Sequence, residues 1–144
     1  MTVAAISTAL GGRRILKRKV DSDADLTLIT REGLPVDSLT LLAQQLSVER
    51  KSLARVVGIS DRTLSRRLAN NERLTAEESD RTVRLARIIA LTTDTLGDSQ
   101  KASSWLQTPN RALDGQRPLD LLDTDTGTRS VETILGRIEY GLYS

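Results

Sequence analysis

The chain has 144 residues, which is enough for one or two small domains, and 38% of them are hydrophobic. Cys, His and Phe are absent, so disulfides, thiolate or imidazole metal sites, cysteine nucleophiles and Ser-His-Asp triads are excluded. The net charge is only +2, but residues 1–97 carry 16 Lys/Arg against 12 Asp/Glu, whereas residues 98–144 carry 5 against 7.

This composition leaves a core of Leu, Ile, Val and Ala with charged residues between them, a pattern typical of helices. We therefore predict an all-α fold with no catalytic residue, no metal site and no cofactor; an enzyme that works through carboxylates or a lysine is disfavoured. No window of about 18 apolar residues predicts a membrane span. The apolar stretch near the N-terminus precedes its cations, the reverse of a secretory signal, so we expect a cytoplasmic protein.

Residues 1–22 combine small side chains and a Gly-Gly pair with a run of cations. We interpret this segment as a flexible basic arm, which either touches DNA phosphates or is a disordered tail. The cations are Arg13, Arg14, Lys17, Arg18 and Lys19.

Capping and stop signals predict four helices before residue 70. They begin near Asp23 or Asp25, near Asp37 or Ser38, after Ser47 and after Ser60, and they end near Gly33, Leu46, Gly58 and Ala69. A capping box at Thr75 and Glu78 opens a fifth helix, which ends at Gly97. This helix is apolar on most sides after Arg87, so we expect it to be buried at the centre of the molecule.

The remaining residues, 98–144, form a second predicted unit. A helix begins at Asp98 or Ser99, contains Trp105 in the core and stops before Pro109; Pro118 opens a short helix. Thr124 to Gly127 is predicted to be a turn. The last helix then places apolar side chains on one stripe, formed by Val131, Ile134, Leu135, Ile138 and Leu142.

The strongest local motif lies in residues 53–68 and has the spacing of a helix-turn-helix. Ala54 is a small residue where the two helices cross, and Gly58, four residues later, tolerates a left-handed backbone in the turn. Apolar residues that pin the second helix follow at Ile59, Leu64 and Leu68. Residues 50–67 contain six cations and one acid, Asp61. This excess of positive charge favours a surface that binds a polyanion over a basic helix face that is only solvated.

Helix-turn-helix geometry assigns roles to the side chains that point away from this core. Arg62 and Arg66 are candidates for bidentate contacts with guanine, with Ser65 beside them on the same face. Ser60 and Thr63 lie near the helix N-terminus, where phosphate contacts are common. Sequence-independent attraction to the duplex is expected from Arg50, Lys51 and Arg67, the last of which occupies a position that is usually apolar. A single short module gives little specificity, so we expect a homodimer on a palindromic operator in double-stranded DNA.

Two of the three aromatic residues lie within the last five positions of the chain. Tyr combines a large contact area with a hydroxyl group and is favoured at protein interfaces, so this end is a candidate docking surface. The alternative is that Tyr140 and Tyr143 pack back on their own domain. The candidate docking residues are Arg137, Glu139, Tyr140, Leu142, Tyr143 and Ser144.

An ordered set of motifs across residues 25–144 resembles the Xre/ParS/MbcA family of type II antitoxins. The set includes the helix-turn-helix above, Lys101-Ala102-Ser103-Ser104-Trp105-Leu106, Pro109-Asn110-Arg111-Ala112-Leu113, Pro118-Leu119-Asp120-Leu121-Leu122 and Leu135-Gly136-Arg137-Ile138-Glu139-Tyr140-Gly141. At Tyr140 the chain departs from the family, which frequently has His there.

The resemblance implies a non-catalytic antitoxin whose C-terminal domain covers the active site of a RES-domain toxin that consumes NAD. It also implies dimerisation and repression of the antitoxin's own operon. The expected division is a flexible arm over 1–22, a helix-turn-helix DNA-binding and dimerisation region over 23–97, and a toxin-binding domain over 98–144. The alternative hypothesis is a stand-alone transcription regulator whose C-terminal domain senses a small ligand in an apolar pocket.

Overall fold

The computed structural model describes residues 2–141, and within this range the chain is all-helical, as predicted. Two short 3₁₀ helices, at Arg111–Leu113 and Pro118–Leu121, interrupt the second half. The α-helices are α1 (Val3–Ala9), α2 (Gly12–Leu16), α3 (Asp23–Glu32), α4 (Val36–Leu46), α5 (Arg50–Val56), α6 (Asp61–Asn70), α7 (Ala76–Leu96), α8 (Ser99–Gln107) and α9 (Asp125–Glu139). Within the same residues, no helix is both long and apolar enough to cross a membrane.

The central position predicted for the fifth helix is confirmed. Helix α7 is 21 residues long and begins with the predicted capping box between Thr75 and Glu78. It is in contact with α1, α3, α8 and α9, and its Leu85, Ala86 and Ile88 are almost completely buried. The helix-turn-helix and the C-terminal unit share the hydrophobic core that forms around it.

The prediction that residues 1–22 are a flexible arm is wrong. The segment forms α1 and α2, and its Leu10 and Leu16 are fully buried in the core. Two side chains of α4 fix it further: Ser38 donates to the carbonyl of Leu10 and Gln45 to that of Ala9, both at 2.8 Å. The apolar residues that precede the cations are therefore core residues.

Four predictions of local capping are also wrong. Ser22, rather than Asp23 or Asp25, caps α3. Pro35, rather than Asp37 or Ser38, stands at the N-cap of α4, which has no side-chain cap. Ser47 ends α4 in a left-handed conformation (φ 53°) and does not open α5. Thr124 caps α9 with its side chain, so residues 124–127 form the start of this helix and not a separate turn. In each case a short hydroxyl or carboxylate side chain suits more than one end of a helix or turn.

Candidate functional site

The turn between α5 and α6 has the geometry that the sequence motif predicts. Gly58 adopts a left-handed backbone (φ 81°), and a β-carbon at this position would lie 2.9 Å from Nη1 of Arg81. Ala54 is 1% exposed where α5 meets α6, and its carbonyl accepts a hydrogen bond from the N–H of Ile59 at 2.8 Å. Ile59 is itself buried, so the turn is fixed on both sides.

Helix α6 has one buried and one exposed face. Leu64 is 2% exposed and Leu68 is partly buried against the core. The opposite face presents Arg62, Ser65 and Arg66 to solvent. Arg66 has a long 3.9 Å contact with Glu72, and both arginines expected to read base edges point outward and can reach a duplex.

The hydroxyl groups predicted to contact phosphates have structural roles at the start of α6. Ser60 accepts a hydrogen bond from the N–H of Thr63 at 3.1 Å and thereby caps the helix. The two hydroxyls also lie within hydrogen-bond distance, at 3.0 Å. Ser60 remains exposed and Thr63 is partly exposed, so a phosphate approaching the helix N-terminus still meets both residues.

Arg67 does not belong to the exposed surface, and its assignment as a phosphate contact is corrected. Its guanidinium group donates to Oε1 of Glu78, and the two side chains are only 11% and 13% exposed. The same carboxylate accepts the N–H of Thr75 in the capping box of α7. Burial raises the pKa of Glu78, but the hydrogen bonds from Thr75 and Arg67 outweigh burial, so its net pKa lies below the ordinary value of 4.5. Arg67 therefore joins α6 to α7.

Arg50 and Lys51, at the start of α5, lie beside α6. They line one groove between α4, α5 and α6, in which α6 contributes Asp61, Leu64, Ser65 and Leu68. Both cations are exposed, and Lys51 has a 3.3 Å ion pair with Glu49, which is also exposed. Exposed pairs of this kind are weak, so both cations can turn towards a phosphate backbone.

The last helix separates core from surface as predicted. Val131, Ile134 and Leu135 are buried, whereas Arg137 and Glu139 are exposed. Tyr140 is 83% exposed at the end of α9, so within residues 2–141 this side chain does not pack on its own domain. Glu139 accepts a hydrogen bond from Thr95 at 3.3 Å. The predicted contacts Leu142, Tyr143 and Ser144 lie outside the described residues.

A polar junction joins the C-terminal unit to the helix-turn-helix, and sequence analysis did not predict it. Ser103 and Gln107 of α8 donate to the carbonyl of Leu46 at 2.6 and 3.0 Å. This carbonyl lies at the end of α4, where helical partners run out. Ser and Gln on a helix give no signal of such a distant partner.

A second cluster lies at the same junction. Arg117 donates two hydrogen bonds to Asp120, at 2.8 and 2.7 Å. The pKa of Asp120 is lowered mainly by this hydrogen bonding, and Arg55 of α5 adds a smaller electrostatic contribution across the junction. Among residues 2–141 no group of His, Cys, Asp and Glu could hold a metal ion.

The fold and these surfaces define a helix-turn-helix protein with a second helical unit docked against it. Residues 25–87 match the antitoxin Xre-like helix-turn-helix domain, and residues 91–141 match the antitoxin Xre/MbcA/ParS C-terminal toxin-binding domain. The second match begins inside α7, so the boundary predicted at residue 97 falls at the end of a helix that both units share.

Similar proteins give the same result. The chain is 35% identical to Antitoxin Xre of Photorhabdus laumondii over 85% of its own length and 84% of the relative. It is also 35% identical to Antitoxin Xre of Yersinia enterocolitica, over 78% of the chain and 76% of the relative. The Prs ADP-ribosylating antitoxin of a Sphingobium species is 29% identical over 85% of the chain and 83% of the relative. The chain belongs to the Xre/MbcA/ParS antitoxin family and is an antitoxin with a helix-turn-helix domain.

Proposed function

We propose that this antitoxin neutralises a RES-domain toxin that consumes NAD, and that it does so by laying the end of α9 across the toxin's active site. The observation that carries the proposal is the 83% exposure of Tyr140, an aromatic side chain at the tip of the helix. Exposing such a side chain has no benefit for folding, whereas buried tyrosines are frequent anchors at protein interfaces. Arg137 and Glu139 flank it with charges of both signs.

The name of the Sphingobium relative supports the class of toxin. ADP-ribosylation uses NAD as the donor, so a relative named for this chemistry fits a toxin that consumes NAD. The name also favours the antitoxin over the alternative of a stand-alone regulator with a small-molecule sensor. We propose that the antitoxin itself is not catalytic and acts in the cytoplasm, where it would meet both NAD-consuming toxin and operator DNA.

Co-expression with the product of the neighbouring gene tests this proposal. The two proteins should co-purify, and the partner released by denaturation and refolding should consume NAD until the antitoxin is added back. Co-purification with a partner that leaves NAD intact would contradict the toxin class. If the partner consumes NAD but co-expression of this chain does not rescue the cells, the proposal that the chain neutralises this partner is contradicted.

We further propose that a homodimer of the antitoxin represses its own operon through α6. The exposed Arg62 and Arg66 support base recognition, and Arg50 and Lys51 support phosphate binding next to it. A dimer places two such modules about one helical turn apart on a palindromic operator. A reporter fused to the upstream DNA should be repressed by the wild-type chain, and unchanged expression would contradict autorepression.

A further inference from the structure

We propose that the folded N-terminal segment, through Arg13, Arg14 and Lys17, forms a second phosphate-binding surface that contacts the DNA backbone beside the C-terminal end of α6. The inference rests on the proposed binding of operator DNA by α6. Its ligand is the sugar-phosphate backbone of duplex DNA, and the contact is independent of base sequence.

The first step is the position of the segment. Lys17 and Ile15 line a surface pocket of about 300 Å³ together with Asn71 and Arg73, which follow directly after α6. Asn71 is the residue that ends α6, in a left-handed conformation with φ 53°. Lys17 is therefore adjacent to the C-terminal end of the helix that is proposed to enter the major groove, and Arg13 and Arg14 lie about one turn before it on α2.

The second step is the length of α6. Its 10 residues span about 15 Å at the helical rise of about 1.5 Å per residue. The major groove of B-DNA is about 12 Å wide, so when the N-terminal residues of α6 contact base edges, its C-terminal end lies within reach of a phosphate backbone. Arg50 and Lys51 lie along α6 beside Asp61, Leu64, Ser65 and Leu68, whereas Lys17 lies beside the residues that follow its C-terminal end.

The third step is charge. Arg13, Arg14 and Lys17 are exposed, and within residues 2–141 no acidic side chain forms an ion pair with any of them. Asp37 and Glu72 line the same pocket, and Glu72 is in long contact with Arg66. With Arg73 included, the surface has four cations and two acids, and this excess of positive charge favours binding of a polyanion.

The fourth step is rigidity. Leu16 is 1% exposed between these cations, and Lys17 ends α2 with its N–H bonded to the carbonyl of Arg13 at 2.9 Å. Ser38 and Gln45 fix the preceding residues to α4. A cation on a fixed backbone loses less conformational entropy on binding than one on a disordered arm, so the folded segment is suited to hold a phosphate.

The test compares the triple variant Arg13→Gln, Arg14→Gln, Lys17→Gln with wild type on two duplexes. One duplex is the DNA directly upstream of the gene, and the other is a scrambled duplex of equal length and composition. The triple variant should lose affinity by the same factor on both, and its slope of log K against log salt should be shallower by about 2–3. Its hydroxyl-radical footprint should lose backbone protection at the flanks and keep the protected centre.

A charge-matched control replaces Arg31, Arg111 and Arg129, three exposed residues on α3, a 3₁₀ helix and α9, by Gln and should leave the salt slope unchanged. If the wild-type chain binds the upstream duplex but the triple variant and the control have equal slopes and footprints, the N-terminal surface is refuted and α6 remains the binding element. If the wild-type chain binds neither duplex, the proposed DNA binding fails, and this inference fails with it.

Discussion

Helices α6 and α9 have the same amphipathic design but present different chemistry on their outer faces. On its outer face α6 presents Arg62 and Arg66, and within residues 2–141 the one acid at ion-pair distance from either is Glu72, 3.9 Å from Arg66. The outer face of α9 has balanced charges instead: Arg129 pairs with Asp125 at 2.9 Å, and Glu132 pairs with Arg87 of α7 at 3.2 Å. At the end of α9, Tyr140 presents a large aromatic side chain to solvent.

This difference separates two kinds of recognition. Cations without close acids along a helix suit a ligand with regularly spaced negative charge, whereas an exposed aromatic group beside balanced charges suits a protein pocket. Both helices rest on the same core around α7. A change at one outer face should therefore leave the other working, while a change at α7 should weaken both.

Of the changes considered, removal of residues 137–144 should have the largest effect, and it should affect only the proposed toxin-binding surface. The truncation deletes Tyr140 and the exposed end of α9 but keeps the buried Val131, Ile134 and Leu135. We expect complete loss of toxin neutralisation in a co-expression rescue assay, with binding to the upstream duplex retained. A chain that lacks only residues 142–144 is the graded control. Loss of DNA binding with neutralisation retained would reverse the assignment of the two surfaces.

The double variant Arg62→Ala, Arg66→Ala should have the next largest effect, on the other surface. Each bidentate contact with a base contributes about 1–3 kcal/mol of discrimination, so the preference for the upstream duplex over a scrambled one should shrink by that amount per arginine. Inhibition of the toxin should be unchanged. The matched control Arg111→Ala, Arg129→Ala removes the same charge far from α6 and should keep the preference. An unaltered preference in the α6 variant would show that another element reads the bases.

Much of the fold could be predicted because its signals are local. The capping box at Thr75, the helix stop at Gly97 and the Ala54–Gly58 spacing act within a few residues, and the structure places each as expected. The N-terminal segment could not be predicted in this way. Its helices have 7 and 5 residues, too short to be stable alone, and they form because Leu10 and Leu16 meet partners distant in sequence.

The candidate sites show the same limit. Spacing correctly placed Arg62 and Arg66 outside the core, because the helical period fixes which faces are opposite. It could not show that Arg67 turns towards Glu78, since that partner belongs to the next helix. A buried ion pair of this kind depends on tertiary packing, and one signal was present: Arg67 occupies a position that is usually apolar in the motif.

The variant Tyr140→Ala tests whether the tip of α9 is an anchor or only a part of a larger surface. We expect the dissociation constant for the toxin to rise roughly 30-fold, or about 2 kcal/mol, because truncating a central tyrosine typically has that effect. Leu28→Ala is the matched control, since Leu28 on α3 is the other large apolar side chain exposed within residues 2–141, at 50%. Calorimetric titration that gave equal losses for both variants would contradict the anchor role.

The smallest expected effect concerns the ion pair between Arg67 and Glu78, which joins α6 to α7. Because both outer faces rest on the core around α7, a loss of stability here should affect both. The pKa of Glu78 is below its ordinary value of 4.5 in the folded protein, so its charge stabilises the fold above that pH. This stabilisation should disappear as the pH falls below 4.5 and Glu78 takes up a proton. Glu78→Gln should therefore lower the unfolding free energy by about 1 kcal/mol at neutral pH, the usual net contribution of one hydrogen bond, because the Gln oxygen can still accept from Arg67. In urea titrations the difference in unfolding free energy between wild type and variant should close as the pH is lowered.

Glu77→Gln, at an exposed neighbouring position, is the control and should give a smaller gap. A gap for Glu78→Gln that stays constant from neutral to acidic pH would show that packing, rather than the charge of Glu78, holds α6 against α7.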